Sequence, residues 1–212
     1  MEIELKLLIA ADDVARLRAL PLLAELTAAP AQTETLLSTY FDTPQLHLKQ
    51  HRSALRVRKS GALWIQTFKG GGRVEGGLHQ RHEWECPVSG PQLELASLLA
   101  HIDNPAAAEI LALPDLMQQL QPVFTTDFER TTWMLQLPQQ TVVELALDQG
   151  VVSAGAASVA ISEVELELKS GELQVLLDFA QTLKQLLPLQ PSNISKAQRG
   201  FALRFPQQDS SL

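Results

Sequence analysis

The chain has 212 residues, 45% of them hydrophobic and 19% charged, which at roughly 150 residues per domain is one large domain or two small ones. That balance excludes a disordered, collagen-like or disulfide-rich chain. Seventeen Lys and Arg against 24 Asp and Glu leave a formal net charge of -7, so the overall field repels nucleic acid and anionic membranes and argues against a partner that carries phosphates.

Residues 2–8 alternate with period two, Glu2, Glu4 and Lys6 on one face and Ile3, Leu5 and Leu7 on the other, which predicts a strand. Glu2 and Glu4 stand where a secretory signal needs positive charge, and no apolar run approaches the roughly 18 residues of a spanning helix. A helical pattern follows over 12–28, with Asp12 or Asp13 as its cap. Strands are predicted over about 34–43, 53–60, 62–69 and 78–88, then helices over 92–101 and over 104–120, the latter opening on Asn104 and Pro105. Further strands cover about 123–137, 141–153 and 159–169, and a helix over 172–187 ends before Pro188. The glycines of 70–77 lack the Gly-Lys-Ser/Thr ending of a phosphate-cradling loop and read as a flexible hairpin loop.

Short spacing between strands 53–60 and 62–69 argues for antiparallel pairing, so the expected fold is α+β, an eight-stranded antiparallel barrel with helices packed outside. One domain is expected over 1–205, with a frayed tail at 206–212. The single cysteine, Cys86, can form neither an internal disulfide nor a multi-cysteine metal site, which suits a reducing, cytoplasmic location.

The polar faces of these strands are not generic. They carry Glu2/Glu4/Lys6, Arg56/Arg58, Thr67/Lys69, Arg81/Glu83/Glu85, Arg130/Thr132, Glu144/Asp148 and Glu163/Glu165/Glu167/Lys169. If the sheet closes with these faces inward, the result is a charged tunnel. Such charges are costly to bury unless they pair with one another, a metal or a ligand. Carboxylates collect Mg²⁺ or Mn²⁺, and Arg and Lys collect polyphosphate oxygens, so an occupant bearing both signs satisfies both sets.

In this light Glu2-Ile3-Glu4-Leu5-Lys6 resembles the N-terminal signature of the CYTH domain, the triphosphate tunnel metalloenzymes. Tyr40-Phe41-Asp42-Thr43, Leu55-Arg56-Val57-Arg58, Thr67-Phe68-Lys69-Gly70, Arg81-His82-Glu83-Trp84-Glu85, Arg130-Thr131-Thr132-Trp133, the glutamates of 163–168 and Ser195-Lys196-Ala197-Gln198-Arg199-Gly200 follow in the family's order. The resemblance implies an eight-stranded tunnel that binds a triphosphate with divalent metal. Carried over residue by residue, it makes Glu2, Glu4, Glu165 and Glu167 metal ligands, and Lys6, Arg56, Arg58, Lys69, Arg81, Arg130, Lys196 and Arg199 triphosphate ligands. Glu163, with Lys6, Arg56 and Arg58, would be catalytic, Glu163 as a ligand or by positioning a metal-bound water; ion pairing with tunnel carboxylates is the alternative for the bases. Tyr40, Phe41, Trp84 and Trp133 are expected to pack between sheet and helices.

The implied activity is hydrolysis of inorganic tripolyphosphate to pyrophosphate and phosphate, as in similar bacterial proteins that often carry a further C-terminal helical domain. Adenylate cyclase and thiamine triphosphatase activities are the alternatives within the family, and a non-catalytic polyphosphate- or nucleotide-binding module is the alternative outside enzymes. Partners are then a small-molecule triphosphate, with neither nucleic acid nor membrane, for a monomer or homodimer.

Overall fold

The computed structural model describes residues 1–206, so the expected tail lies, from residue 207 onward, outside the described residues. The strands are β1 (Glu2–Leu8), β2 (Gln32–Asp42), β3 (Ala54–Ser60), β4 (Leu63–Glu75), β5 (Leu78–Val88), β6 (Gln121–Leu137), β7 (Thr141–Ala154), β8 (Ala157–Ser170) and a two-residue β9 (Gln190–Pro191). The first eight close a ring in the order β1-β5-β4-β3-β2-β6-β7-β8, and every pairing is antiparallel. This is the expected eight-stranded barrel, with β9 added against Leu7 and Leu8. Closure removes the two open edges that an eight-stranded sheet would otherwise present.

The helices are α1 (Val14–Arg18), α2 (Pro21–Leu26), α3 (His47–Gln50), α4 (Leu95–Leu99), α5 (Pro105–Leu111), α6 (Leu116–Gln119), α7 (Leu173–Leu186) and α8 (Lys196–Arg204). The single helix expected over 12–28 is a 3-10 turn followed by α1 and α2. Pro21 opens α2 and holds Leu20 extended at φ -64°, ψ 118°, because its ring excludes a helical residue before it. Pro114 lies in the break between α5 and α6 that divides 104–120. Asn104 caps α5 as expected, its side chain accepting from the Ala107 N–H at 3.1 Å. The expected flexible loop at 70–77 is instead strand on both sides of a turn at Gly76 and Gly77, whose φ values of 58° and 87° suit glycine.

Apolar side chains form three cores. Outside β1, β7 and β8, α7 buries Leu176 and Leu183 against Leu7, Leu145 and Leu166, worth roughly 1.5–3 kcal/mol per leucine. Outside β3, β4 and β5, Leu55, Phe68 and Trp84 meet Leu98, Leu111 and Leu116 from α4, α5 and α6. The third core lies inside the barrel, where Phe124, Phe128, Val152 and Ile161 receive Phe201 of α8. This last helix therefore plugs the barrel. Gly200 permits the approach, since a Cβ there would fall 2.2 Å from the Phe124 ring.

Candidate active site

Above the plug, the inner strand faces enclose a cavity of about 230 Å³, lined by eight basic and six acidic side chains. Exposure identifies its rim and floor: the side chains of Glu85 and Lys169 are 45% and 40% exposed, whereas Asp148 and Glu163 are at 0%.

The floor is an ion-pair network. Antiparallel register brings Lys6 of β1 opposite Glu165 of β8, Glu163 opposite Asp148 of β7, and Asp148 opposite Arg130 of β6. Lys6 Nζ reaches Glu163 at 3.1 Å and also pairs with Glu165. Lys196, delivered by the first turn of α8, donates to Asp148 and Glu163 at 2.5 Å each and to Glu165 at 2.8 Å. Arg130 donates two 2.7 Å hydrogen bonds to Asp148 and one to Glu165, and Arg199 pairs with Glu163. Four cations thus hold three carboxylates. Burial would raise the Glu165 carboxyl, but Lys196, Lys6 and Arg130 hold it well below the usual range. Burial would lower the Lys6 ammonium, but Glu165, Glu4 and Glu163 hold it well above its ordinary value.

The α8 start that supplies Lys196 is itself fixed. The Ser195 side chain accepts from the Gln198 N–H at 3.2 Å, and the Gln198 side chain accepts from the Ser195 N–H at 2.8 Å, a reciprocal cap. The His79 Nε2–H donates to the Ser192 carbonyl at 3.0 Å and ties this segment to β5.

Toward the rim the balance turns acidic. Glu4 lies opposite Glu167, and Glu167 opposite Glu144. Burial and the charges of Glu2 and Glu144 push the Glu167 carboxyl up, against the pull of Lys169. Glu4 Oε1 is buried without a hydrogen bond, 3.2 Å from Lys6 Nζ. Glu2 accepts from Lys69 at 2.8 Å, and Glu83 lies 3.1 Å from Lys69 and 3.5 Å from Arg56. A divalent cation fits the clustered charge of Glu2, Glu4 and Glu167 and the Glu4 oxygen that accepts no hydrogen bond. Asp148, Glu163 and Glu165 also present oxygens within 4.8 Å of one another, but the four floor cations already engage that trio.

Of the eight basic residues that line the cavity, Arg58 and Arg81 have no carboxylate within ion-pairing distance among the described residues, whereas the other six are paired. Burial, with Arg56 and Arg130 nearby, pulls the Arg58 guanidinium down to about 10. Its Nε–H donates to Ser38 Oγ at 3.1 Å. Arg58, Arg130 and Lys196 converge on the Phe128 ring at 5.7, 5.8 and 4.9 Å from its centroid.

Of the residues singled out in the sequence, Glu2, Glu4, Lys6, Arg56, Arg58, Lys69, Arg81, Arg130, Glu165, Glu167 and Lys196 all line the cavity. Glu163 and Arg199 do not: they pair with each other, Glu163 fully buried and Arg199 partly so. Tyr40 departs from its expected packing role, because it faces inward and lines the cavity. Phe41, Trp84 and Trp133 do pack outside the barrel. Phe124 and Phe128, which belong to the apolar core inside the barrel, carried no signal of charge or motif that would have singled them out.

The CYTH domain family model matches residues 1–201. An inorganic triphosphatase of Haemophilus influenzae is 37% identical over 206 residues, 95% of this chain and 54% of that protein. The chain therefore spans about half the length of this curated relative. Among solved structures, a candidate adenylyl cyclase from Hippeastrum described as having a dominant triphosphatase activity superposes with TM-score 0.65 at 19% identity, covering 93% of each chain. A candidate adenylate cyclase from Bacillus halodurans superposes with TM-score 0.59 at 24% identity, covering 94% of this chain and 96% of the other. At these identities the two structures establish the shared barrel fold.

Proposed function

The chain belongs to the CYTH domain family, and from that premise we propose that it hydrolyses inorganic tripolyphosphate to pyrophosphate and phosphate with Mg²⁺ or Mn²⁺. The observation that carries this reading is the convergence of Arg58, Arg130 and Lys196 at the cavity floor, where Arg58 has no carboxylate to balance it. A polyanion seated there supplies the missing charge. The Haemophilus relative supports the same chemistry.

Glu2, Glu4 and Glu167 would hold the divalent cation, with Glu165 the adjoining carboxylate. When bound, such a cation offsets charge on phosphate oxygens and polarises them. The protein's own contribution is positioning and fixed positive charge. Arg58, Arg130 and Lys196 bind non-bridging oxygens, and Lys6, Arg56, Lys69 and Arg81 extend the seat along the wall. Glu163 acts from below: with Lys6, Lys196 and Arg199 bound to it, it keeps their ammonium and guanidinium groups in place before substrate arrives. The attacking water's oxygen bonds to the terminal phosphorus as the bond to the bridging oxygen breaks. No covalent nucleophile is required; Cys86 is buried in the outer core.

Among the described residues Tyr40 is the aromatic one lining the cavity; Phe124 stacks on one face of its ring at 4.5 Å and the residue as a whole is buried. That leaves little ring surface open to a base, which favours a bare polyphosphate over a nucleotide. The test is phosphate release from tripolyphosphate, pyrophosphate, ATP and thiamine triphosphate with each metal, beside an assay for cyclic AMP. Preferred turnover of tripolyphosphate is expected; cyclic AMP formation, or tight binding of all four without phosphate release, contradicts the proposal.

A further inference from the structure

Phe128 of β6 belongs to the core inside the barrel, is 2% exposed, and lies opposite Gly150 of β7. A Cβ on Gly150 would fall 2.5 Å from the Phe128 Cβ, so glycine there leaves the aromatic residue its place. Three cations stand over this one ring: Arg58 at 5.7 Å, Arg130 at 5.8 Å and Lys196 at 4.9 Å from its centroid. An aromatic face is negative without being an anion, and it attracts a cation within about 6 Å most strongly where water is excluded.

The three cations are not held alike. Arg130 donates to both oxygens of Asp148 and pairs with Glu165, and Lys196 reaches Asp148, Glu163 and Glu165. Carboxylates fix these two whether or not the ring is present. The contacts that hold Arg58 are to neutral groups: the Ser38 hydroxyl, which accepts from its Nε–H at 3.1 Å, and the Phe128 ring. Arg56 and Arg130 meanwhile repel it, and together with burial they pull its guanidinium down to about 10. One bond to a hydroxyl is a weak restraint against that push, and the ring face supplies the second. A carboxylate in the ring's place would also hold Arg58, but it would neutralise the guanidinium and repel an incoming polyanion. The ring holds the cation and leaves its charge to the ligand.

We infer that Phe128 is a positioning residue of the triphosphate site, its ring face holding the Arg58 guanidinium in place before the anion arrives. This deepens the triphosphatase reading above and rests on it. Phe128 acts through Arg58: a cation already in place needs no rearrangement when charge develops on the reacting phosphoryl group.

Phe128→Leu keeps an apolar side chain and removes the negative face. It should lower kcat/KM for tripolyphosphate roughly 5- to 30-fold, the share of one desolvated contact between a cation and a ring. In Arg58→Met protein the same change should cost less than about twofold, because the cation it serves is gone. The lost packing should lower the melting temperature similarly in both backgrounds. A kcat/KM loss of equal size in both backgrounds makes Phe128 a packing residue and overturns the assignment. A second series keeps the shape of the ring: mono-, di- and trifluorinated phenylalanine placed at position 128 weaken the negative face in steps. A stepwise fall in kcat/KM is expected, and a flat series overturns the inference. The same double-variant cycle read as the calorimetric Kd of tripolyphosphate needs neither metal nor turnover, and the coupling should appear there too; an additive cycle overturns it. Wild-type protein that binds tripolyphosphate and releases no phosphate therefore sinks the hydrolase reading while the Kd cycle still decides the role of Phe128. Tripolyphosphate that does not bind at all overturns both.

Discussion

Replacing Arg58 with Met separates what this residue does for the fold from what it does for the ligand. The guanidinium is pulled from its ordinary value down to about 10 by burial and by Arg56 and Arg130. That displacement is worth at most about 3 kcal/mol of destabilised charge, and less in practice because water in the cavity screens it. Against this relief, the variant loses the 3.1 Å hydrogen bond to Ser38 and the contact with the Phe128 ring at 5.7 Å, together about 1–3 kcal/mol. The two sides nearly cancel, so the midpoint in urea should shift little. Ligand binding has no such compensation, since the removed charge is the floor cation without a carboxylate. A loss of about 3–4 kcal/mol of transition-state stabilisation, or roughly 10²- to 10³-fold in kcat/KM for tripolyphosphate, is expected. Steady-state kinetics and urea melts on the same preparation decide the matter. A folded Arg58→Met protein within threefold of wild-type kcat/KM would refute the placement of the anion on this floor.

Two further outcomes follow from the same contacts. The Asp148 and Glu165 carboxyls lie below their ordinary values in the folded protein, so the unfolded chain binds more protons as pH falls below about 4.5. Their contribution is full above that point and is lost as pH drops through the depressed folded values, while that of Lys6, raised above 10.5, is lost only at pH above this. Urea melts at about pH 7, 4 and 3 should show progressive acid loss; equal midpoints at all three would mean the floor network contributes nothing. Gly200→Ala places a methyl about 2.2 Å from the Phe124 ring and should destabilise the fold by roughly 1–3 kcal/mol while shifting the plug that carries Lys196. Differential scanning calorimetry showing an unchanged melting temperature would contradict the packing of α8 inside the barrel.

The barrel was legible because period-two alternation carries physical information wherever one strand face is charged and the other meets helices. Residues 2–8 and 163–168 are the clearest cases, and their pairing across β1 and β8 follows from it. Alternation fails where both faces are apolar. On β2, Leu36 and Tyr40 point inward while Phe41 packs outward, so the sequence pattern cannot assign Tyr40 to a face. The plug explains the exception: part of the barrel interior is apolar where Phe201 arrives from far along the chain. The capping box of Ser195 and Gln198 signals that α8 begins there, but not that the helix enters the barrel. Glu163, Glu165 and Glu167 share one face and one chemistry, and only their depth separates a floor anchor from a rim carboxylate. Proline breaks at Pro21 and Pro114 were readable locally, yet the helical periodicity on either side masked them.

One cavity joins a cationic floor to an acidic rim, and the proposed function has a triphosphate and a divalent cation meet there. Phosphate release from tripolyphosphate by wild type and by the Glu2→Gln/Glu4→Gln protein, each with and without Mg²⁺ or Mn²⁺, tests it most directly. Metal-dependent turnover by wild type, lost by at least roughly 10²-fold in the folded double variant, is the predicted result. Full turnover in that variant, or equal wild-type rates without metal, would contradict it.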